Sequence, residues 1–147
     1  MGDLPGAVLF SCSMNAVRSP MAEALLKHLL GHKVYVDSAG VRTSEVDPFA
    51  VEVMDEIGID LSKHKSKTFD DLEDTSYDLI ISLSPEAQHK AVELTRTMAC
   101  EVEFWNTYDP SIAEGSRESR LAAYRQVRDF LKKRIEQRFA LDLKPVV

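Results

Sequence analysis

Short apolar runs of strand length alternate with helical patterns along this 147-residue chain, and that alternation predicts an α/β fold, a parallel sheet packed with helices on both faces. Two further observations support it. The run Leu79 to Leu83 is nearly all apolar, as a strand buried on both faces requires, and the pairs Ser19-Pro20 and Ser84-Pro85 each place a helix start just beyond an apolar run.

In chain order, Ala7 to Phe10 reads as a buried strand. Ser19 to Leu30 reads as a helix, with Ser19 as N-cap and Pro20 at the first helical position. Val34-Tyr35-Val36 is a second short strand that ends at Ser38-Ala39-Gly40. Pro48 to Ile57 is helical and stops at Gly58. Leu79 to Leu83 is the next strand, Ser84-Pro85 opens a helix, and Glu101 to Trp105 is a further strand. After Asp109-Pro110 a long amphipathic helix starts near Arg117, with Leu121, Tyr124, Val127, Leu131 and Ile135 at three- and four-residue steps. No repeat, low-complexity tract or linker divides the chain, so residues 1–147 are expected to form one domain.

Composition restricts the function. A formal net charge of −6 gives no general attraction to nucleic acid or to an anionic membrane. Two cysteines, no apolar stretch near the ~20 residues of a membrane span and no leader pattern predict a soluble, cytoplasmic protein. Cys12, Cys100 and the four histidines lack ligand spacing, so neither a metal nor another cofactor is expected. Any anionic substrate must be held by local geometry. The acidic run Asp70-Asp71-Leu72-Glu73-Asp74 reads as a solvated loop or helix start and the basic face of the last helix as solvated surface, while Lys63, His64, Lys65 and Lys67 form a basic patch, either solvated surface or a guide for an anionic substrate.

That geometry is offered by Cys12-Ser13-Met14-Asn15-Ala16-Val17-Arg18, which joins the first strand to the first helix. Ligands of parallel α/β sheets bind beyond the carboxyl ends of the strands, where Cys12 lies. Five intervening residues can wrap into a loop whose N–H groups point inward, a nest for a tetrahedral oxyanion at a helix N-terminus. The same field favours a thiolate. Asn15 tolerates the left-handed backbone that a tight loop needs. A cysteine six positions before an arginine is by itself a common accident; its place at a strand-to-helix junction makes it informative.

The stretch Val8 to Glu23 resembles the active-site segment of the low-molecular-weight protein tyrosine phosphatase superfamily, which also includes thioredoxin-coupled arsenate reductases. The resemblance continues through Asp37-Ser38-Ala39-Gly40, Gly58 to His64, the strand at Leu79 and Asp109-Pro110, and so covers almost the whole chain. It implies a three-layer αβα fold with a central four-stranded parallel sheet of order 2-1-3-4 and a phosphate-binding loop, Cys12 to Arg18, after the first strand. Cys12 would be the nucleophile that forms a cysteinyl phosphate. Arg18 would grip two equatorial oxygens through its planar fork. Ser19, besides capping, would donate to the sulfur, while Asn15, Ser38 and His64 would brace the loop. Asp109 would be the general acid, although an Asp-Pro pair alone is an ordinary turn signal.

Val46-Asp47-Pro48, the run Trp105 to Gly115 and Val127-Arg128-Asp129 look more like the arsenate reductase branch. The cysteines point the other way. Reductases of that branch relay oxidation through two further cysteines after the strand corresponding to Leu79 to Leu83; here Ser84 and the residues around Ala91 stand there, and no cysteine occurs between Ser13 and Ala99. Cys100 reads as a core residue. The expected activity is therefore phosphomonoester hydrolysis of protein tyrosine phosphatase type. Its substrates would be phosphorylated proteins or small phosphate esters, and phosphate, arsenate or sulfate would fit the loop. The alternatives are an arsenate reductase that uses an external thiol and a catalytically silent phosphate- or phosphopeptide-binding module. Val17 stands where many family phosphatases carry a second cysteine, and Ser111-Ile112 where eukaryotic members carry two tyrosines. Met14, Trp105, Tyr108 and the loop Val41 to Val46 are the candidates for shaping a pocket, with Trp105 reading equally as core.

Overall fold

The structure, a computed structural model, describes residues 4–72 and 76–139; Glu73 and Asp74 of the acidic run lie outside it. Four strands, β1 (Ala7–Cys12), β2 (Tyr35–Gly40), β3 (Leu79–Ser82) and β4 (Glu101–Phe104), alternate with four helices, α1 (Arg18–Leu30), α2 (Pro48–Asp55), α3 (Pro85–Leu94) and α4 (Arg117–Phe139). All strand pairs are parallel and the sheet order is β2-β1-β3-β4, as expected.

Because successive strand residues point to opposite faces, the central strands β1 and β3 each feed two cores. Val8, Phe10, Leu79 and Ile81 enter the larger core, shared with α1, α2 and α4. Leu9 and Ile80 enter the smaller one, with Ala91 of α3, Phe69 and Tyr77. The edge strand β4 is only partly covered and carries Glu101 and Glu103, charges that discourage pairing with another sheet. Among the described residues no helix is long and apolar enough to cross a membrane.

Ser84 caps α3 as expected, its Oγ accepting the Ala87 N–H at 3.2 Å. Gly58, with φ +79°, follows the end of α2 and takes the left-handed conformation anticipated there. Ser19 differs from expectation. Helix α1 already begins at Arg18, its N-cap position is Val17, and no side chain caps it. Ser19 therefore sits in the first turn with its hydroxyl free for another partner, and the leading N–H groups of α1 are not consumed by a cap. The acidic run opens on a short 3-10 turn, Phe69–Asp71, with Asp70 and Asp71 exposed, in keeping with a solvated helix start: Asp71 accepts from both the N–H and the hydroxyl of Thr68.

Candidate active site

Strand β1 carries Cys12 to the carboxyl end of the sheet and α1 takes the chain away at Arg18, so residues 13–17 must turn sharply between them. Asn15 makes the turn with φ 53°, the only non-glycine residue at positive φ among those described. Its conformation is fixed from every side. Asn15 Nδ2 donates to Ser19 Oγ and to Ser38 Oγ, both at 2.9 Å, and Oδ1 accepts the Lys67 N–H at 3.0 Å. His64 Nε2 lies 3.1 Å from Asn15 Oδ1 and 3.2 Å from its carbonyl oxygen, two acceptors, so that nitrogen carries the proton.

The loop's carbonyls face outward. Cys12 O accepts from Val41 N at 3.2 Å, Ser13 O from Arg42 N at 2.8 Å, Asn15 O from Ser66 Oγ at 2.7 Å and Ala16 O from Asp47 N at 3.0 Å. Across a trans peptide the N–H opposes the C=O, so the N–H groups of Ser13, Met14, Ala16 and Val17 are turned to the inner side, the arrangement of an anion nest. Gly40 permits this close approach: a Cβ there would fall 2.7 Å from Asn15 N and 2.5 Å from Arg42 O.

Cys12 is 2% exposed and its Sγ lies 2.9 Å from Ser19 Oγ. A thiolate sulfur has no hydrogen to give, so with Cys12 ionised the Ser19 hydroxyl is the donor of this contact. Behind Asn15 the Ser38 hydroxyl donates to Glu23, a carboxylate that sequence reasoning placed in the motif without a role. Burial pushes the His64 imidazole below its ordinary pKa, against the opposing pull of Glu23, whose Oε1 is 3.9 Å from Nδ1. Lys67 is not a free surface charge, as the basic patch implied. Its ammonium pairs with Asp37 at 2.6 Å, whereas Lys63 and Lys65 are exposed.

Arg18 is 8% exposed, with Nη1 donating to the Thr107 carbonyl at 3.1 Å. Its Nη2 stands 3.8 Å from Asp109 Oδ2, close but not hydrogen-bonded. Asp109 Oδ1 accepts from Ser111 N and Oγ at 3.0 and 2.7 Å, which leaves Oδ2 as the oxygen that faces Arg18. Cys12, Arg18 and Asp109 thus converge on one cavity of about 440 Å3, walled also by Met14, Ser44 to Pro48 and Ser111. Among the described residues no aromatic ring lines it. Trp105 is core, Tyr108 is 55% exposed and outside the lining, and of the loop Val41 to Val46 only the second half reaches the cavity.

A family profile described as "Low molecular weight phosphotyrosine protein phosphatase" matches residues 7–144. The chain belongs to this family. Among curated relatives, the arsenate reductase of Halalkalibacterium halodurans is 38% identical over 129 residues, which cover 88% of this chain and 91% of that protein. The arsenate reductase of Bacillus subtilis is 33% identical over 130 residues, 88% and 92% of the two chains. Among solved structures, a YwlE mutant from Bacillus subtilis superposes with a TM-score of 0.76 at 28% identity and covers 94% and 99% of the two chains. An arsenate reductase in the phosphate binding state gives 0.70 at 32% identity, with coverage of 91% and 96%.

Within this family the second thiol is the informative difference. Ser84, where the sequence comparison called for the first relay cysteine, holds a hydroxyl that accepts from Ser13 Oγ at 3.1 Å and caps α3. Cys100 packs partly against the smaller core, and burial pushes its thiol pKa up. It precedes β4 at the amino end of the sheet, level with the start of β1. Five residues of strand, roughly 16 Å, separate it from Cys12, far beyond disulfide reach.

Proposed function

We propose that this protein, as a single domain over residues 1–147, is a cytoplasmic phosphomonoester hydrolase of the protein tyrosine phosphatase type. The observation that carries the reading is the convergence of the Cys12 sulfur, Arg18 and Asp109 on one cavity beneath a ring of inward-facing N–H groups. The Cys12 thiolate attacks phosphorus in line; an S–P bond forms as the ester P–O bond breaks. Asp109 Oδ2 gives its proton to the leaving oxygen. Arg18, with Nη1 held by Thr107, offers its remaining N–H groups to equatorial oxygens whose charge grows in the transition state. In the second step a water attacks phosphorus, a new P–O bond forms as the S–P bond breaks, Asp109 takes the water's proton, and the sulfur leaves as a thiolate that accepts a hydrogen bond from the Ser19 hydroxyl. Asn15, Ser38 and His64 keep that geometry in place.

Arsenate reduction with an external thiol is the second reading, favoured by the naming of the relatives as arsenate reductases. Arsenate and phosphate are near-isosteric, so the loop admits either. Ser84 and Ala91 hold no thiol to resolve an oxidised Cys12, which ranks hydrolysis first. A silent binding module has no use for an acid and a nucleophile together.

The deciding experiment offers the purified protein p-nitrophenyl phosphate and phosphotyrosine peptides and, separately, arsenate with glutathione or thioredoxin systems. Phosphate release and a phosphocysteine trapped at Cys12 in a single turnover are expected. Thiol-dependent arsenate turnover without phosphatase activity would reverse the ranking.

A further inference from the structure

Tyr124 belongs to the apolar stripe of α4 and is 1% exposed, yet its hydroxyl donates to Asp47 Oδ2 at 2.6 Å. Asp47 forms part of the cavity wall beside Cys12 and Arg18. Its other groups are also engaged: Oδ1 accepts the Phe49 N–H at 2.8 Å and caps α2, its carbonyl accepts from Val51 N, and its N–H donates to the Ala16 carbonyl of the phosphate loop. One residue therefore ties α4 and α2 to the loop. The Phe49 ring meets Tyr124 edge-on at 5.4 Å, which holds the phenol in line.

A carboxylate is an unfavourable wall for an oxyanion cavity, because a phosphate dianion is repelled by it at short range through a poorly screened medium. The α2 N-terminus offsets part of that charge through Oδ1. The Tyr124 hydroxyl engages the other oxygen. Of the charged groups nearby, Arg120 lies over Phe49 at 4.7 Å, while Glu45 and Asp109 add negative charge to the same cavity. Burial, and after it the bond to Asp47, pushes the phenol pKa up, so the hydroxyl remains a donor across the working pH range.

We propose that Tyr124 and Asp47 are a positioning and charge-masking pair: the buried phenol holds Asp47 so that its N–H pins the Ala16 carbonyl, and it quenches the carboxylate that would otherwise repel the bound oxyanion. The proposal rests on the cavity being the oxyanion site of the preceding section. It makes Tyr124 a determinant of substrate affinity without contact to the substrate.

The test compares Tyr124→Phe, Asp47→Asn and the double variant by calorimetric titration with inorganic phosphate, by KM and kcat on p-nitrophenyl phosphate, and by thermal melting. Losing a hydrogen bond to a charged group should raise the phosphate Kd and the KM of Tyr124→Phe about tenfold, with kcat nearly unchanged. Removing the charge as well should restore affinity to within about twofold of the parent, which a purely structural bond would not do. A double variant as weak as Tyr124→Phe, or a folded Tyr124→Phe with parental affinity, would overturn the pair. Should Tyr124→Phe fail to fold, Asp47→Asn alone decides: affinity equal to or tighter than the parent supports charge masking, and weaker affinity refutes it. Phosphate titration is independent of turnover, so normal binding without hydrolysis would count against the hydrolase reading while leaving the pair intact.

Discussion

The two walls of the cavity are built differently. On one side the Cys12–Arg18 loop has four outward carbonyls that accept from residues of two other segments, and Asn15 is engaged through every polar group of its side chain. On the other, the Asp109 side chain is hydrogen-bonded, among the described residues, only within its own turn to Ser111, faces Arg18 at 3.8 Å and is about a third exposed (34%), and its neighbours Tyr108 and Ile112 are open to solvent. The side proposed to bind the oxyanion is over-determined; the side proposed to deliver a proton is lightly tethered. That division suits the chemistry, because an oxyanion hole acts through dipoles fixed in advance, whereas an acid must reach leaving groups of different shape.

The hardest break of this comparison removes the proposed nucleophile. Cys12→Ser is expected to abolish turnover of every substrate while leaving the melting temperature near the parent value, since one buried hydroxyl replaces one buried thiol beside Ser19. Measurable turnover by homogeneous protein would remove Cys12 from its role.

Next in size is Asn15→Ala. It forces alanine into the left-handed region and strips partners from the Lys67 N–H, His64, Ser19 and Ser38 at once. A loss of about 2 to 4 kcal/mol is expected, together with a fall in kcat/KM of about a hundredfold or more. Thermal melting and steady-state rates check both. Asp109→Asn, on the lightly held side, should leave stability within about 0.5 kcal/mol of the parent. Its rate on poor leaving groups should fall by about 10²- to 10⁴-fold, far more than on p-nitrophenyl phosphate, whose oxygen needs little protonation. Equal losses on both substrates would exclude Asp109 as the acid.

The same contrast explains what could be read from the amino acids. Buried strands, the Ser84 cap and the left-handed Asn15 follow from local chemistry, and each stands where the residue pattern placed it. Ser19 did not, because a Ser-Pro pair marks a helix start to within a residue or so, and here the helix begins one residue before the serine. The Thr107 carbonyl that steadies Arg18 lies 89 residues away and is a backbone atom, which no residue type announces. Tyr124 was legible as core from its helical spacing; nothing in that spacing reveals where a hydroxyl points. Asp47 and Glu23 stood in recognisable segments, yet their partners are set by the packing of α4 and β2 against the loop.

The smallest expected effect is a pH dependence confined to the rigid wall. Burial lowers the His64 pKa in the folded protein relative to the ordinary value of 6.5, with Glu23 pulling the other way. Between the folded and unfolded values the unfolded chain binds more protons, so stability is complete above the unfolded pKa and declines as pH falls through that value toward the folded one. Nε2–H faces Asn15 in either charge state, so protonation at Nδ1 adds a partly buried charge without breaking the contact to the loop. His64→Gln is expected to flatten the stability profile between about pH 7 and pH 5, because glutamine does not titrate there. Denaturant unfolding across that window measures it: a parent profile as flat as the variant's would show that Glu23 compensates burial in full, and a parent that gained stability on acidification would show that the His64–Glu23 attraction outweighs it.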